Sequence, residues 1–529
     1  MSKPWPKLLL CYVIVLFVGT LLGSLIQTQF NLAALQSLGV GISAEVRLRT
    51  SLQDLVNFGP TYALILGASF VVSLPAALFL GQWAGRFWRT PLCALAAAFG
   101  LWAAIRGLDA VAPMPTLIAA TRGTTGTLTL LASAALAGAL FGYLTNKLVF
   151  DREARHYTPV LALLIACVGF IPDSPAWATG NEPVDYQIEV LAENLEHPWS
   201  IAFLPDGRAL VTERVGRVRV LNADGSLQRE PLPGVPAVFA SAQAGLKDIL
   251  LAPDFEHSQL LYLSYACGTR KANHTCVSRV RLTDNGLEDA EEIFRAHPPK
   301  MGNAHYGGRM VWLPDNTLVL TLGDGFDYRE QAQYINNHLG SIVRLNPDGS
   351  APEDNPFLEL VNARPEIYSY GHRNVQGLVY DAENERLISH EHGPRGGDEI
   401  NIIEAGKNYG WPVVTHGLDY TGARVTPFTE RVGMVSPLLH WTPAVAPSGM
   451  TLYDGDLFPQ WQNSFLIGGL ASRQVHRVTL GDQTAEEHEP LFAELEARIR
   501  DVRTGPEGAI YLLTDSEQGK VLRVTPSNP

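Results

Sequence analysis

The feature that most restricts this chain is a set of long apolar segments before residue 172 and their disappearance after residue 182. A bilayer's hydrocarbon core needs about 20 apolar residues per helix. Segments 8–26, 62–84, 128–148 and 159–171 meet or approach that length. Segment 91–105 is a weaker fifth, short unless it continues past Arg106, and a re-entrant or surface helix is its alternative reading. Five spans put the two chain ends on opposite sides. Lys3, Lys7, Arg86, Arg89, Lys147, Arg152 and Arg155 fall on the N-terminal side, against Arg47, Arg49, Arg106 and Arg122 on the other. The positive-inside bias then places the N-terminus in the cytoplasm and the large polar part in the periplasm. The reading is a multi-pass protein of a bacterial inner membrane. Arg152, Arg155, the apolar stretch after them and Ala176-Trp177-Ala178 also resemble an internal signal peptide, although a linker is the plainer reading. No intramembrane charge cluster marks a transport path, so the bundle reads as an anchor.

Beyond residue 182 one short pattern recurs: apolar residues, a turn of the Pro-Asp-Gly kind, then a β-rich run. It appears as AFLPDGRALVTE from Ala202, LAPDFEHSQLLYLSY from Leu251 and VWLPDNTLVLTLGD from Val311. Looser copies start at Leu378 and Leu452, and the sixth is RTGPEGAIYLLTD from Arg503. Turn residues followed by Val, Leu, Ile and Tyr signal antiparallel hairpins. Six such units with unequal insertions predict an all-β six-bladed propeller, whose radial blades bury their faces on one another around a central channel. A sandwich would be shorter. The expected organisation is an all-α transmembrane bundle over 1–172, a linker over 173–184 and the propeller over 185–529.

The net charge of −13 excludes a nucleic-acid partner, since phosphate binding needs a basic face. Cys11, Cys93 and Cys167 lie in apolar runs, and Cys267 and Cys276 are the only pair in the polar part. SYACGTRKANHTCVSRV has two strand-like arms and a polar tip, so these two are expected to form a disulfide, with two free buried thiols as the alternative. No haem attachment or iron–sulfur cysteine pattern is present.

Four polar clusters carry candidate chemistry. GNAHYGGR supplies His305, with Gly323-Asp324 following; a carboxylate beside an imidazole makes an oriented base. YSYGHRNVQG supplies Arg373 and Asn374, the arginine offering a fixed fork of donors to a carboxylate or a developing oxyanion. SHEHGPRGGDEIN exposes backbone carbonyls at its glycines and proline and adds Asp398 and Glu399, the hard oxygen donors that calcium takes. A transition-metal site from His390 and His392 is the rival there. In ARIRDVRTGPEG, Arg498 and Arg500 alternate toward one face, and an anion between them relieves their repulsion.

Together these segments resemble the soluble aldose (glucose/sorbosone) dehydrogenases that use pyrroloquinoline quinone (PQQ). The resemblance runs from about 190 to 526 and includes HPWSIAFLPDG, AQAGLKDILLAPDF, HYGGRMV, YSYGHRNVQG, EHGPRGGDEINIIEAGKNYGWP, FPQW and RIRDVRTGPEG. The bundle lies outside it and is similar to the five-span anchor of membrane glucose dehydrogenases only in arrangement. The resemblance implies that His305 takes the sugar C1 hydroxyl proton while hydride goes to C5 of PQQ, that Asp324 orients it, and that Arg373 stabilises charge on the reduced cofactor. It implies cofactor contacts from Gln243, Arg373, Asn374, Arg498 and Arg500. Gly393 and Pro394 match carbonyl donors to the cofactor's calcium, and Glu399, Tyr409 and Asp419 match a second, structural calcium site. Two positions depart: Ala471 stands where a family lysine meets the cofactor, with Arg473 nearby as a substitute, and Ala304 precedes the base where some members have Asp. The implied function is oxidation of aldoses to lactones, with electrons passing to a membrane quinone or a periplasmic cytochrome. The alternatives are a calcium-dependent sugar-lactone hydrolase and a non-enzymatic sugar-binding propeller.

Overall fold

The structure is a computed structural model and describes residues 5–111, 116–150 and 184–527. Its contacts divide the chain into a helical unit and a propeller unit.

The helical unit holds α1 (Trp5–Ser37), α2 (Ala44–Asn57), α3 (Gly59–Ala84), α4 (Arg86–Val111) and α5 (Thr124–Leu148). All but α2 are long and apolar enough to cross a membrane. The weak segment does continue past Arg106, because α4 starts at Arg86 and ends at Val111. Four candidate spans thus stand among the described residues, and the expected span over 159–171 and most of the expected linker lie outside them. Helices α4 and α5 approach closely through small residues. A Cβ on Gly138 would lie 2.3 Å from the Cys93 carbonyl oxygen, and one on Gly142 would lie 2.7 Å from Thr90 Cα. Such close backbone approach is what holds helices together where lipid supplies no hydrophobic drive. Asn146 Nδ2 donates to the Arg86 carbonyl at 3.3 Å, which sets the start of α4 beside the end of α5. Helix α2 was not foreseen. It is short and only half apolar, capped by Ser43, whose hydroxyl accepts from Val46 N at 3.2 Å. It buries Thr50, Ser51 and Asp54 while exposing Leu48, Leu52 and Val56 at four-residue spacing.

In the propeller unit the six expected repeats each fall on the hairpin joining the innermost strand of a blade to its second strand. The innermost strands are Pro198–Phe203, Leu246–Leu251, Gly307–Trp312, Val375–Asp381, Pro447–Leu452 and Ile499–Thr504. Each touches the next, and the sixth touches the first, so the ring is closed. The first blade has three strands and the others four. Closure comes from the N-terminal strand Tyr186–Leu195, which pairs antiparallel with the last strand, Gly519–Pro526, and completes the sixth blade. Adjacent blades share cores. Tyr262, Val277 and Phe294 of the second blade pack with Leu318, Leu320 and Val343 of the third, which is why the second strands are apolar on both faces.

An ion-pair network ties the innermost strands together. Arg309 Nη2 lies 2.9 Å from Asp501 Oδ1, and Arg503 reaches Asp501 at 3.1 Å and Asp248 at 3.4 Å. Ser200 Oγ donates to Asp248 at 2.6 Å. Cys267 and Cys276 are joined as a disulfide, from opposite arms of the second blade's central hairpin.

Candidate active site

Because every innermost strand enters the ring in the same sense, residues just before these strands gather at one mouth of the channel. So do the residues just after each second strand. Bonds between blades show it: Asp324 N donates to the Arg373 carbonyl at 2.8 Å, His392 Nε2 bonds the Pro447 carbonyl at 2.7 Å, and Arg498 Nη1 donates to the Leu470 carbonyl at 3.0 Å.

His305 precedes the third blade's innermost strand and Asp324 follows its second strand. Their side chains meet, Nδ1 to Oδ1, at 2.6 Å, with both nearly inaccessible to solvent. An ionised carboxylate only accepts, so Nδ1 carries the hydrogen and Nε2 the lone pair. Asp324 also accepts from Phe326 N and from Trp411 Nε1, both at 2.7 Å. Burial and then the Arg373 charge push the His305 pKa down, against the pull of Asp324, so the ring is neutral at pH 7. Burial alone would raise the Asp324 carboxyl, but His305 and Arg373 outweigh it and hold it below the usual range. His305 sits at φ +51°, a left-handed conformation that costs a side-chain-bearing residue roughly 1–3 kcal/mol. Such strain persists only where the surroundings over-determine it. Here Gln243 Oε1 accepts the His305 N–H at 2.9 Å, and Gly323 lies so close that a Cβ would fall 2.4 Å from the His305 carbonyl carbon.

Arg373 lies at the same mouth. Its Nη1 donates to the His392 carbonyl at 3.0 Å and the Gly393 carbonyl at 2.7 Å, and its guanidinium carbon stands 5.2 Å from the Trp411 ring. Its backbone N–H donates to Glu391. Asn374 Oδ1 accepts from Gly307 N at 3.2 Å, so this side chain braces the two blades. His305, Asp324, Gln243, Arg373, Asn374 and Gly393 thus form one bonded set, and Pro394 follows in the same loop.

The acidic residues divide. Asp398 fixes the loop, accepting from Gly393 N at 2.8 Å and from Val445 and Ala446 N at 2.8 and 2.7 Å, and burial raises its pKa to about 6. Glu399 faces Glu391 across paired strands, and both line a small cavity with Tyr409. Burial and then the Glu391 charge push the Glu399 carboxyl well up, an environment that suits a hard cation. The Tyr409 phenol is engaged, donating to the Ile402 carbonyl at 2.6 Å, so any ligation from this residue falls to its main-chain carbonyl. Asp419 does not line that cavity and instead stands 3.6 Å from Arg329. His390 and His392 do not join a cluster of three ligating groups among the described residues. The one such cluster contains the disulfide cysteines.

Arg498 and Arg500 do share an anion, and it is Asp515, at 3.3 and 2.7 Å. Burial would raise this carboxyl, but Arg500, His197 and Arg498 hold it far below the ordinary range. Arg500 Nε is buried without a hydrogen-bond partner among the described residues. Two cations escaped sequence reading: half-buried Arg214, after the second strand of the first blade, and buried Lys247, inside the second blade's innermost strand. The alternation of a strand gave no sign that ring closure would bury them. This side of the mouth therefore carries more positive than negative charge, and its donors fit an anion with several carboxylates.

The family model described as glucose / sorbosone dehydrogenase matches residues 195–523. The chain belongs to that family. It is 41% identical over 361 residues to the aldose sugar dehydrogenase YliI of Escherichia coli, covering 67% of this chain and 96% of that one. The crystal structure of the soluble aldose sugar dehydrogenase from Escherichia coli superposes with a TM-score of 0.62 at 40% identity, over 64% of this chain and 99% of that one. The PQQ-bound aldose sugar dehydrogenase of Streptomyces coelicolor gives a TM-score of 0.51 at 28% identity, over 65% and 99%. Helices α1 to α5 lie outside the family match, which begins at residue 195.

Proposed function

We propose that this protein is a membrane-anchored dehydrogenase that oxidises aldoses at C1 to lactones, using PQQ and calcium. The observation that carries the reading is the neutral His305 held by Asp324 beside the Arg373 fork, in a chain of the family whose relatives bear the name aldose sugar dehydrogenase. When bound, the quinone supplies the two-electron acceptor and calcium polarises it. His305 Nε2 takes the C1 hydroxyl proton, and Asp324 stabilises the imidazolium that forms. Arg373 supplies a preorganised positive charge in a water-poor site, where it acts on developing negative charge. Gly393 and Pro394 carbonyls would hold the cofactor's calcium, and Arg500 and Arg498 the cofactor's carboxylates. Glu399 and the Tyr409 carbonyl would hold a second calcium, and Asp419, paired with Arg329 outside that cavity, is left out of it.

Four apolar helices support anchoring in a membrane, and the Cys267–Cys276 disulfide supports an oxidising compartment such as the periplasm for the propeller. Electrons are proposed to leave for the membrane quinone pool. The test is reconstitution of the purified protein with PQQ and calcium, followed by dye-linked oxidation of glucose and other aldoses. Equal activity without PQQ rejects the reading. Membrane vesicles are expected to reduce added short-chain ubiquinone when given the sugar; reduction of a soluble cytochrome alone would reassign the acceptor.

A further inference from the structure

Lys247 is buried at the propeller's mouth and has no role in the chemistry derived so far. Its side chain runs along Gly308, where an added Cβ would meet Lys247 Cδ at 2.4 Å. Its Nζ donates to the Gln243 carbonyl at 3.1 Å and stands 5.2 and 5.3 Å from the rings of Tyr306 and Trp199. Gln243 is the residue whose side chain holds the backbone of His305, so this ammonium lies one residue from the candidate base.

Its charged neighbours are the unusual part. Burial weighs most against its charge, and Arg500, Arg214, Lys300 and Arg309 add to that; Arg309 shares the Trp199 ring with it, at 4.0 Å. No carboxylate forms an ion pair with it among the described residues, whereas Arg309 has Asp501 and Arg500 has Asp515. An ammonium has three donors, and the Gln243 carbonyl uses one. Burying such a cation among other cations is costly unless an anion joins it. The chain also has alanine at 471, where the resemblance expects a cofactor-binding lysine, and Ala471 is exposed at the rim.

We propose that Lys247 is a further cofactor-binding residue, whose ammonium, together with Arg500, takes a carboxylate of the anionic quinone cofactor and replaces the lysine absent at position 471. This rests on the function proposed above. It assigns the replacement to the second blade's innermost strand, and not to Arg473, whose side chain is exposed and can keep its charge in water.

The experiment titrates detergent-solubilised full-length apoprotein with PQQ at saturating calcium, following binding by calorimetry, for wild type, Lys247→Met, Lys247→Gln and Arg473→Ala. A charge-assisted hydrogen bond removed from a buried site should weaken PQQ binding by roughly 10- to 100-fold in both Lys247 variants. Arg473→Ala should bind as wild type does. The melting temperature of the apoprotein should rise or stay constant in Lys247→Met, because a buried cation among cations has been removed, while the rise in melting temperature on adding PQQ shrinks. Wild-type protein that fails to bind PQQ would reject the proposed function itself. Wild-type binding with undiminished affinity in Lys247→Met and Lys247→Gln would reject only the role of Lys247, as would a loss confined to Arg473→Ala. A lower apoprotein melting temperature in both Lys247 variants would mark the residue as structural and also overturn the proposal. Should Lys247→Met not fold, the Lys247→Gln titration decides.

Discussion

Asp324→Asn is the sharpest test of the His305 assignment, because it keeps the volume of the side chain and changes only charge and one donor. Asp324 accepts three hydrogen bonds, from His305, Phe326 and Trp411. The amide nitrogen of asparagine must replace one of the two oxygens. Placed at Oδ1 it would face two donors, the His305 Nδ1–H and the Phe326 N–H. Placed at Oδ2 it faces one, the Trp411 N–H, and this arrangement is preferred. The Trp411 N–H and the new amide N–H then face each other unpaired, at about 1–3 kcal/mol of stability for each. Catalysis should suffer more. The imidazolium formed as the sugar hydroxyl loses its proton no longer has its carboxylate, and turnover should fall roughly 10²–10⁴-fold. The sign of the pH effect is also fixed. Asp324 raises the His305 pKa against burial and Arg373, so its removal lowers that pKa further and shifts the acidic limb of the rate profile to lower pH. The assay is dye-linked aldose oxidation by protein loaded with PQQ and calcium, measured as kcat/KM across pH. Turnover within about twofold of wild type with an unmoved acidic limb would refute the relay.

Arg373→Ala should weaken PQQ binding and slow turnover together, since the fork serves both bound and reacting states; normal titration with a normal rate would contradict it. Chelation should inactivate the enzyme, with calcium restoring activity when PQQ is present, and restoration by zinc alone would return attention to His390 and His392. Native protein should show Cys267 and Cys276 resistant to alkylation until reduced, as mass spectrometry would reveal. His390 is buried with a pKa depressed from 6.5 to about 3, chiefly by burial and then by Arg309. Between those values the unfolded chain binds a proton that the native state refuses, so stability is lost as pH falls below 6.5. His390→Leu should therefore flatten the dependence of melting temperature on pH between 7 and 4, and an unchanged slope would count against this.

Much of the fold was legible because each blade announces itself locally. The Pro-Asp-Gly turn and the apolar run after it, as in AFLPDGRALVTE, fix a hairpin without help from distant sequence. The pairing of His305 with Asp324 was legible as one candidate among several, and the resemblance singled it out, since a separation of 19 positions says nothing of a contact at 2.6 Å. What stayed hidden depends on ring closure. Nothing in HYGGR marks Arg309 as buried, yet it is buried against Asp501 from the far end of the chain. Asp398, read as a calcium ligand, is spent on three backbone N–H groups, two of them from a loop nearly fifty residues away. Helix α2 was missed because a polar face kept its sequence from standing out beside the apolar spans.

The strand that completes the sixth blade also sets a schedule for biosynthesis. Leu195 must wait for Gly519 before it has a partner, and at 5–20 residues per second that delay is on the order of half a minute. Through that interval Tyr186–Leu195 is an unpaired edge, the kind of surface on which chains aggregate or borrow strands from one another. The sixth blade is thus finished only after Gly519–Pro526 has been made. A stop codon at the start of the last strand would leave Tyr186–Leu195 without its partner and the sixth blade incomplete, however complete the catalytic residues upstream of it.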